Sequence, residues 1–179
     1  VNDQNVGAVL DRCDGVIVPG GFGNRGIDGK IATAKYCRER NVPYLGICLG
    51  MQVAVIEFAR SVCGLQYADS GEFDPDSPDK VIDFLPDQND NINKGGTLRL
   101  GAYPCRLKEG TVIRACYGTE NISERHRHRY EFNNDYREIM EENGMALSGV
   151  SPDGHIIETM ELPGNDYFVG VQFHPEFKS

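Results

Sequence analysis

Apolar positions in the first third of the chain fall into short continuous runs separated by amphipathic segments. Residues 14–20, DGVIVPG, predict a buried strand that ends at its Pro and Gly. Residues 29–40 have helical spacing, and residues 42–47 predict a second buried strand. The nearly unbroken apolar stretch over 49–62 predicts a helix that is buried on most sides. Strand, helix, strand, helix is typical of an α/β fold with a parallel sheet.

The pattern changes after this unit. Residues 69–90 carry eight Asp or Glu, one Lys and three prolines, and they predict a long surface loop. A metal site formed by Asp74-Pro75-Asp76 is the alternative interpretation of this segment, and a solvated surface is the favoured one. Beyond the loop, one helix is predicted near 135–142, closed by Asn143-Gly144. Short strands are predicted near 97–103, 111–117, 145–150, 155–160 and 167–173.

Composition narrows the classes of protein. The 179 residues are 40% hydrophobic and 25% charged, which fits one globular domain over 1–179. No apolar run approaches the ~20 residues that span a bilayer, so no membrane association is expected. The net charge of −9 disfavours binding to a phosphate backbone. The six cysteines show no CxxC spacing, which indicates reduced thiols and a cytoplasmic location.

Cys48 lies where the second predicted strand turns directly into a helix, in the stretch LGICLG. Small residues on both sides permit a sharp turn that exposes the thiol, as in the nucleophile elbow of hydrolases. A helix N-terminus beneath the sulfur favours the reactive thiolate. The alternative is a buried structural cysteine, which is what we expect of the other five.

His174 and Glu176 lie in FHPEF, after the last apolar strand. In an extended segment residues two apart project to the same side, so the carboxylate can orient the imidazole while Pro175 fixes the backbone between them. Alone this motif is weak, since a histidine at a sheet edge is more often structural. Together with Cys48 it predicts a Cys-His-Glu nucleophilic site.

The glycine-rich stretch PGGFG, residues 19–23, has two interpretations. Its backbone N–H groups, with that of Leu49, can stabilise the oxyanion formed when a thiolate attacks an amide. A phosphate-binding loop is the lesser alternative, because no Gly-Lys-Ser/Thr follows.

The stretch ERHRHRY, residues 124–130, holds three of the chain's 18 Lys and Arg residues. A basic patch for nucleic acid is one interpretation and a loop that recognises a charged substrate is the other. The stacking aromatics and wider basic field that nucleic-acid binding needs are missing from the sequence.

Three stretches, PGGFG, PYLGICLGMQ and VQFHPEF, resemble the signatures of class I glutamine amidotransferases. GGTLRLGAYPC and ERHRHRYEFN are similar to the glutaminase domains of CTP synthases. The resemblance implies a three-layer, flavodoxin-like α/β fold with a mostly parallel central sheet. It also implies that the family's first strand and last helix lie outside this chain, which would be an excerpt of a longer protein.

The same resemblance implies hydrolysis of L-glutamine by Cys48, His174 and Glu176. The ammonia would serve pyrimidine biosynthesis in an N-terminal synthase (ligase) domain, which aminates UTP to CTP with ATP and Mg²⁺. A γ-glutamyl hydrolase and an inactive binding module remain as alternatives.

The resemblance also assigns binding residues. Gly21 and Leu49 would form the oxyanion hole, and Glu72 and Arg129 would hold the two charged ends of glutamine. Arg25 would contact GTP, an allosteric activator. The segment Gly50, Met51 and Gln52 would line the glutamine site. Neither a metal nor a cofactor is expected in this domain, and the full-length protein is expected to be a homotetramer.

Overall fold

A computed structural model of the chain describes residues 1–84 and 98–177. Its helices are α1 (Val6–Leu10), α2 (Ile27–Arg40), α3 (Leu49–Ser61), α4 (Val112–Tyr117) and α5 (Arg137–Glu142). Its strands are β1 (Val16–Val18), β2 (Tyr44–Ile47), β3 (Ala68–Ser70), β4 (Asp79–Asp83), β5 (Arg99–Leu107), β6 (Asn121–His128), β7 (Glu131–Phe132), β8 (Ala146–Val150), β9 (Ile157–Glu161) and β10 (Phe168–Val171).

Seven strands form one large sheet in the order β1-β2-β10-β9-β8-β5-β6. β1, β2 and β10 are parallel, as the strand–helix alternation predicts. The other four pairings are antiparallel, so the expectation of a mostly parallel sheet holds only for these three described strands. The α/β class is confirmed. A second sheet, β3-β4-β7, has three strands.

Both faces of the large sheet are covered. Along β10, Phe168 packs into the core beneath α3, whereas Val169 and Val171 pack on the opposite face with Ile113 of α4. This alternation follows from the period of two in a strand. Helices on both faces produce the predicted three layers.

α3 is buried on most sides, as predicted from its apolar run. It contacts β1, β2 and β10 of the large sheet, all three strands of the small sheet, and α2. Its one buried carboxylate, Glu57, accepts two hydrogen bonds from Arg38 of α2, at 2.7 and 2.8 Å. Pairing is what makes a buried charge tolerable. The predicted boundaries of both helices are correct to within two residues.

The predicted strand over 111–117 is wrong, because α4 occupies it. The Thr111 hydroxyl accepts a hydrogen bond from the Arg114 N–H, and the Glu161 carboxylate accepts from the N–H groups of Val112 and Ile113 at 3.0 and 2.8 Å. A cap from a residue nearly 50 positions away satisfies the helix start. Local propensity could not anticipate that contact.

The surface-loop prediction for 69–90 is also wrong in part. The segment contains β4, whose Val81 and Ile82 are buried against the core. Asp74 and Asp76 are exposed as predicted. Residues 85–90 lie outside the described part of the chain. Four of the described helices and strands, α1, β3, β6 and β7, had not been predicted at all.

Candidate active site

Cys48 occupies the turn between β2 and α3, with φ 52° and ψ −105°. A non-glycine residue in this region is strained, at a cost of about 1–3 kcal/mol, and such strain concentrates at functional sites. The Cys48 N–H donates to the carbonyl of Val171 in the neighbouring strand at 2.7 Å. The predicted sharp turn is therefore present, held by the parallel strand beside it, but the prediction that it exposes the thiol is wrong, because Cys48 is buried.

Two glycines permit this turn. A Cβ on Gly46 would come within 2.6 Å of the Gly50 carbonyl carbon, and one on Gly50 would overlap the Val18 carbonyl oxygen. Strand and helix thus approach each other more closely than any side chain allows.

Burial decides the protonation of the Cys48 thiol. The side chain is only 3% exposed, and burial raises the pKa of the thiol to about 12. The Leu49 N–H acts in the expected direction and lowers the pKa, but it is the weaker effect. The resting sulfur is therefore a protonated thiol at neutral pH rather than the thiolate that the helix terminus alone suggested. Any reaction at this sulfur needs a base.

His174 and Glu176 form a close pair, with Nδ1 and Oε1 2.7 Å apart. Their backbone is not extended as predicted, because Pro175–Phe177 form a 3₁₀ turn, yet the pair still meets. Gly20 separates this pair from Cys48. A Cβ on Gly20 would lie 2.7 Å from His174 Cε1 and 3.4 Å from Cys48 Cβ, so glycine leaves the space between the two side chains open.

Cys48 borders two connected depressions. One is a cavity of about 430 Å³ lined by Gly21, Phe22, Cys48, Gln52, Glu72, Leu98, Arg127, His128, Arg129 and Tyr130. The other is a cleft that contains His174 and Glu176. Gly21, Phe22, Cys48 and Arg127 belong to both. The thiol therefore stands between a cavity with charged walls and the imidazole–carboxylate pair.

The cavity wall includes some of the predicted binding residues and not others. Gln52 donates from Nε2 to the Tyr130 carbonyl at 2.9 Å, and Glu72 accepts from the Gly23 N–H at 3.0 Å. Met51, by contrast, is fully buried in the core against Gly170. The described lining of this cavity does not include Leu49, Gly50 or Met51. Arg25 is exposed in the loop before α2, outside the described lining.

Comparison with known proteins assigns this arrangement to a family. The model of the family glutamine amidotransferase class-I matches residues 2–179. The chain belongs to the class I glutamine amidotransferases. It is 59% identical to the CTP synthases of Staphylococcus saprophyticus and Shouchella clausii over all 179 residues. The chain spans about a third of the length of these curated relatives, 33% and 34% respectively.

Solved structures agree with this placement of the amidotransferase chain. It superposes on the glutaminase domain of Trypanosoma brucei CTP synthase, a structure with bound acivicin, with a TM-score of 0.91 and 41% identity. That match covers 99% of this chain and 68% of the other. A glutamine amidotransferase from Thermotoga maritima, 15% identical, has a TM-score of 0.54 over 89% of this chain and 56% of its own, and shows the shared fold alone.

The stretch ERHRHRY of this amidotransferase lies mainly on β6 and alternates in burial. Glu124, His126 and His128 are buried, whereas Arg125, Arg127 and Arg129 are exposed. Arg127, which the sequence had not singled out, lies over the Phe22 ring, 5.6 Å from its centroid, and borders both depressions. The strict alternation of Arg and His is the signal that could have predicted this strand.

The buried histidines are held in a neutral hydrogen-bonded chain. The Tyr130 carbonyl can only accept, so His128 Nδ1 donates to it at 3.2 Å and His128 Nε2 must accept from His126 Nδ1 at 2.8 Å. Burial and the nearby Arg99 charge lower the pKa of His126 to about 2 and that of His128 to about 3. Glu158 lies 3.7 Å from His126 Nε2, but Arg99 already pairs with both of its oxygens, so it offsets little of this cost.

These lowered pKa values predict acid sensitivity. An unfolded histidine binds a proton below pH 6.5 while the folded one does not, so the free energy of unfolding falls as pH falls from 6.5. Between pH 6.5 and 5 the contribution of one such histidine is about 1.5 kcal/mol. We expect His126→Gln to reduce the pH-induced loss by that amount in denaturant titrations at the two pH values. His155→Gln changes an exposed histidine, so its free energy of unfolding should depend on pH as that of the unchanged chain does. If the free energy of unfolding of His126→Gln depended on pH to the same extent as that of the unchanged chain, the assignment of His126 as a neutral buried histidine would be wrong.

The described residues contain no group of three or more His, Cys, Asp or Glu side chains that could hold a metal ion. They also contain no helix long and apolar enough to cross a membrane. All six cysteines lie in the described ranges and none forms a disulfide. Cys13 and Cys116 are exposed, so the prediction that every cysteine other than Cys48 is a buried structural residue is wrong for these two.

Proposed function

We propose that this chain hydrolyses L-glutamine to glutamate and ammonia, with Cys48 as the nucleophile. The observation that carries the proposal is the position of the thiol. It stands between the cavity bordered by Glu72 and Arg129 and the cleft that holds the His174–Glu176 pair.

Binding would use the charges of free glutamine. Arg129 would pair with the α-carboxylate and Glu72 with the α-ammonium, which directs the side-chain amide toward the sulfur. One Glu72 oxygen already accepts from the Gly23 N–H, which fixes the carboxylate and leaves its other oxygen for the substrate. Gln52 would complete the wall on the α3 side.

The reaction would begin with proton transfer, because burial keeps the Cys48 thiol protonated. His174, oriented by Glu176, accepts the thiol proton as the sulfur attacks the amide carbon. The N–H groups of Gly21 and Leu49 would stabilise the oxyanion, and each such donor lowers the barrier by about 3–4 kcal/mol. His174 then protonates the leaving ammonia, and water activated by the same imidazole cleaves the γ-glutamyl thioester.

The longer protein is part of the proposal. We propose that the ammonia passes to a synthase domain of the same polypeptide, which uses ATP and Mg²⁺ to convert UTP to CTP. GTP would activate hydrolysis at a site that includes Arg25, and the full-length protein would be a cytoplasmic homotetramer. Support comes from the curated CTP synthases, of which this chain matches one third.

Substrate comparison tests the proposal. Glutamate release from free glutamine and from γ-glutamyl peptides should be measured on the chain and on the full-length protein. We expect free glutamine to be hydrolysed with the higher kcat/KM. Faster cleavage of γ-glutamyl peptides would indicate a γ-glutamyl hydrolase, and no hydrolysis of either substrate by either protein would indicate an inactive binding module.

A further inference from the structure

Gln172 lies directly beside the sulfur of Cys48. β10 and β2 are parallel, and Val171 is paired with Ile47. The residues that follow these two, Gln172 and Cys48, are therefore neighbours at the carboxyl edge of the sheet. The Gln172 side chain is fully buried.

The amide of Gln172 takes part in a hydrogen-bonded chain. Its Nε2 donates to Cys48 Sγ at 3.6 Å, and its Oε1 accepts from Gln52 Nε2 at 3.1 Å. Gln52 uses its second N–H for the Tyr130 carbonyl at 2.9 Å. The Gln172 backbone N–H donates to the Glu158 carbonyl at 2.8 Å, which anchors the residue to β9.

This chain determines which end of the amide faces the sulfur. The Tyr130 carbonyl can only accept, so Gln52 must present its NH₂ group there, and that same NH₂ faces Gln172. A flipped Gln172 would place two NH₂ groups against each other in a buried site. Gln172 is therefore fixed with a donor toward Cys48. A donor stabilises a thiolate more than a thiol, because hydrogen bonds to charged acceptors are the stronger ones.

We propose that Gln172 is a positioning residue that aims the Cys48 sulfur and stabilises its thiolate, and that Gln52 fixes its orientation from the cavity wall. The inference rests on the proposed function, since it assigns Gln172 a role in forming the nucleophile. It also connects the cavity to the sulfur through side chains, because Gln52 and Tyr130 both border that cavity.

The test is the pH profile of Cys48 alkylation by iodoacetamide. Peptide mass analysis is needed to follow Cys48 itself, because the exposed Cys13 and Cys116 also react. In Gln172→Met, which removes the donor at similar volume, the profile should move up by about one pH unit, which is about a tenfold loss of rate at fixed pH below the midpoint. Gln172→Asn, which withdraws the amide by one methylene, should move it in the same direction.

Glutamine kinetics provide a second readout in the same variants. We expect kcat to fall by about tenfold while KM changes by less than about twofold, because Gln172 contacts the sulfur and not the substrate. Thr159→Val is the matched control. Thr159 is fully buried on β9, in register with Val171, and bonds Ser148 at 2.7 Å. Its loss should lower stability without moving the alkylation profile.

Two outcomes would overturn the role of Gln172. One is an unchanged alkylation profile in folded Gln172→Met and Gln172→Asn, and the other is an equal shift in Thr159→Val. Failure of the proposed function is distinguishable from both. A wild-type chain without glutaminase activity still yields an alkylation profile, and that profile reports on Gln172 independently.

Discussion

Replacing Cys48 with Ala is expected to abolish glutamine hydrolysis, with a loss of about 10⁴-fold or more, because no thioester can form without the sulfur. The substitution removes one buried atom and keeps a Cβ at the strained turn, so the fold should persist. In the full-length protein, CTP formation from glutamine should vanish, whereas CTP formation from added ammonia should continue.

Both syntheses should be measured in the same preparation, with Cys105→Ala as the matched control. Cys105 is as buried as Cys48, and burial likewise raises the pKa of its thiol to about 12, but it lies on β5 away from the cavity lining. Its variant should keep glutamine-dependent synthesis. If Cys48→Ala lost both syntheses or neither, the nucleophile assignment would be wrong.

The short motifs around Cys48 and His174 predicted the reactive residues of the site better than hydrophobic periodicity predicted the helices and strands that hold them. Small residues flank Cys48 because strand and helix nearly touch there, so the sequence records the elbow in a few adjacent letters. His174 and Glu176 are likewise close in sequence. The structure brings these residues to one place, although their catalytic roles remain predictions.

The failures have a common physical cause, which is dependence on distant contacts. α4 begins where it does because the Glu161 carboxylate caps it. β4 is buried by a sheet whose third strand, β7, comes about 50 residues later. Gln172 is a neighbour of the sulfur because β10 pairs with β2, which is about 120 residues earlier in the chain. Sequence spacing carries none of these pairings.

β6 shows how a pattern can be informative and still be misunderstood. Its alternating Arg and His residues had suggested either a nucleic-acid patch or a substrate loop. The strand period separates them, since the histidines enter a buried chain and the arginines face outward. Of the outward arginines, Arg127 and Arg129 border the cavity and Arg125 does not. The motif therefore supplies buried histidines on one face of β6 and exposed arginines on the other face and at the residue that follows the strand.

The difference between Arg129 and Arg125 leads to the second large expected effect. If Arg129 pairs with the α-carboxylate of glutamine, Arg129→Ala leaves that charge unpaired in a partly desolvated cavity. The expected cost is about 2–4 kcal/mol, which lowers kcat/KM by roughly 30- to 1000-fold. Arg125→Ala removes the same charge from β6, four residues before Arg129, and we expect it to change kcat/KM by less than about threefold.

Alkylation of Cys48 by uncharged iodoacetamide separates recognition from general damage. That reagent has no carboxylate, so Arg129→Ala should alkylate at nearly the unchanged rate while glutamine hydrolysis is depressed. Equal losses in the two assays would mean that the substitution disrupts the fold. Equal effects of Arg129→Ala and Arg125→Ala on hydrolysis would mean that the strand acts through its overall charge, since only a specific ion pair distinguishes an arginine at the cavity wall from one four residues away.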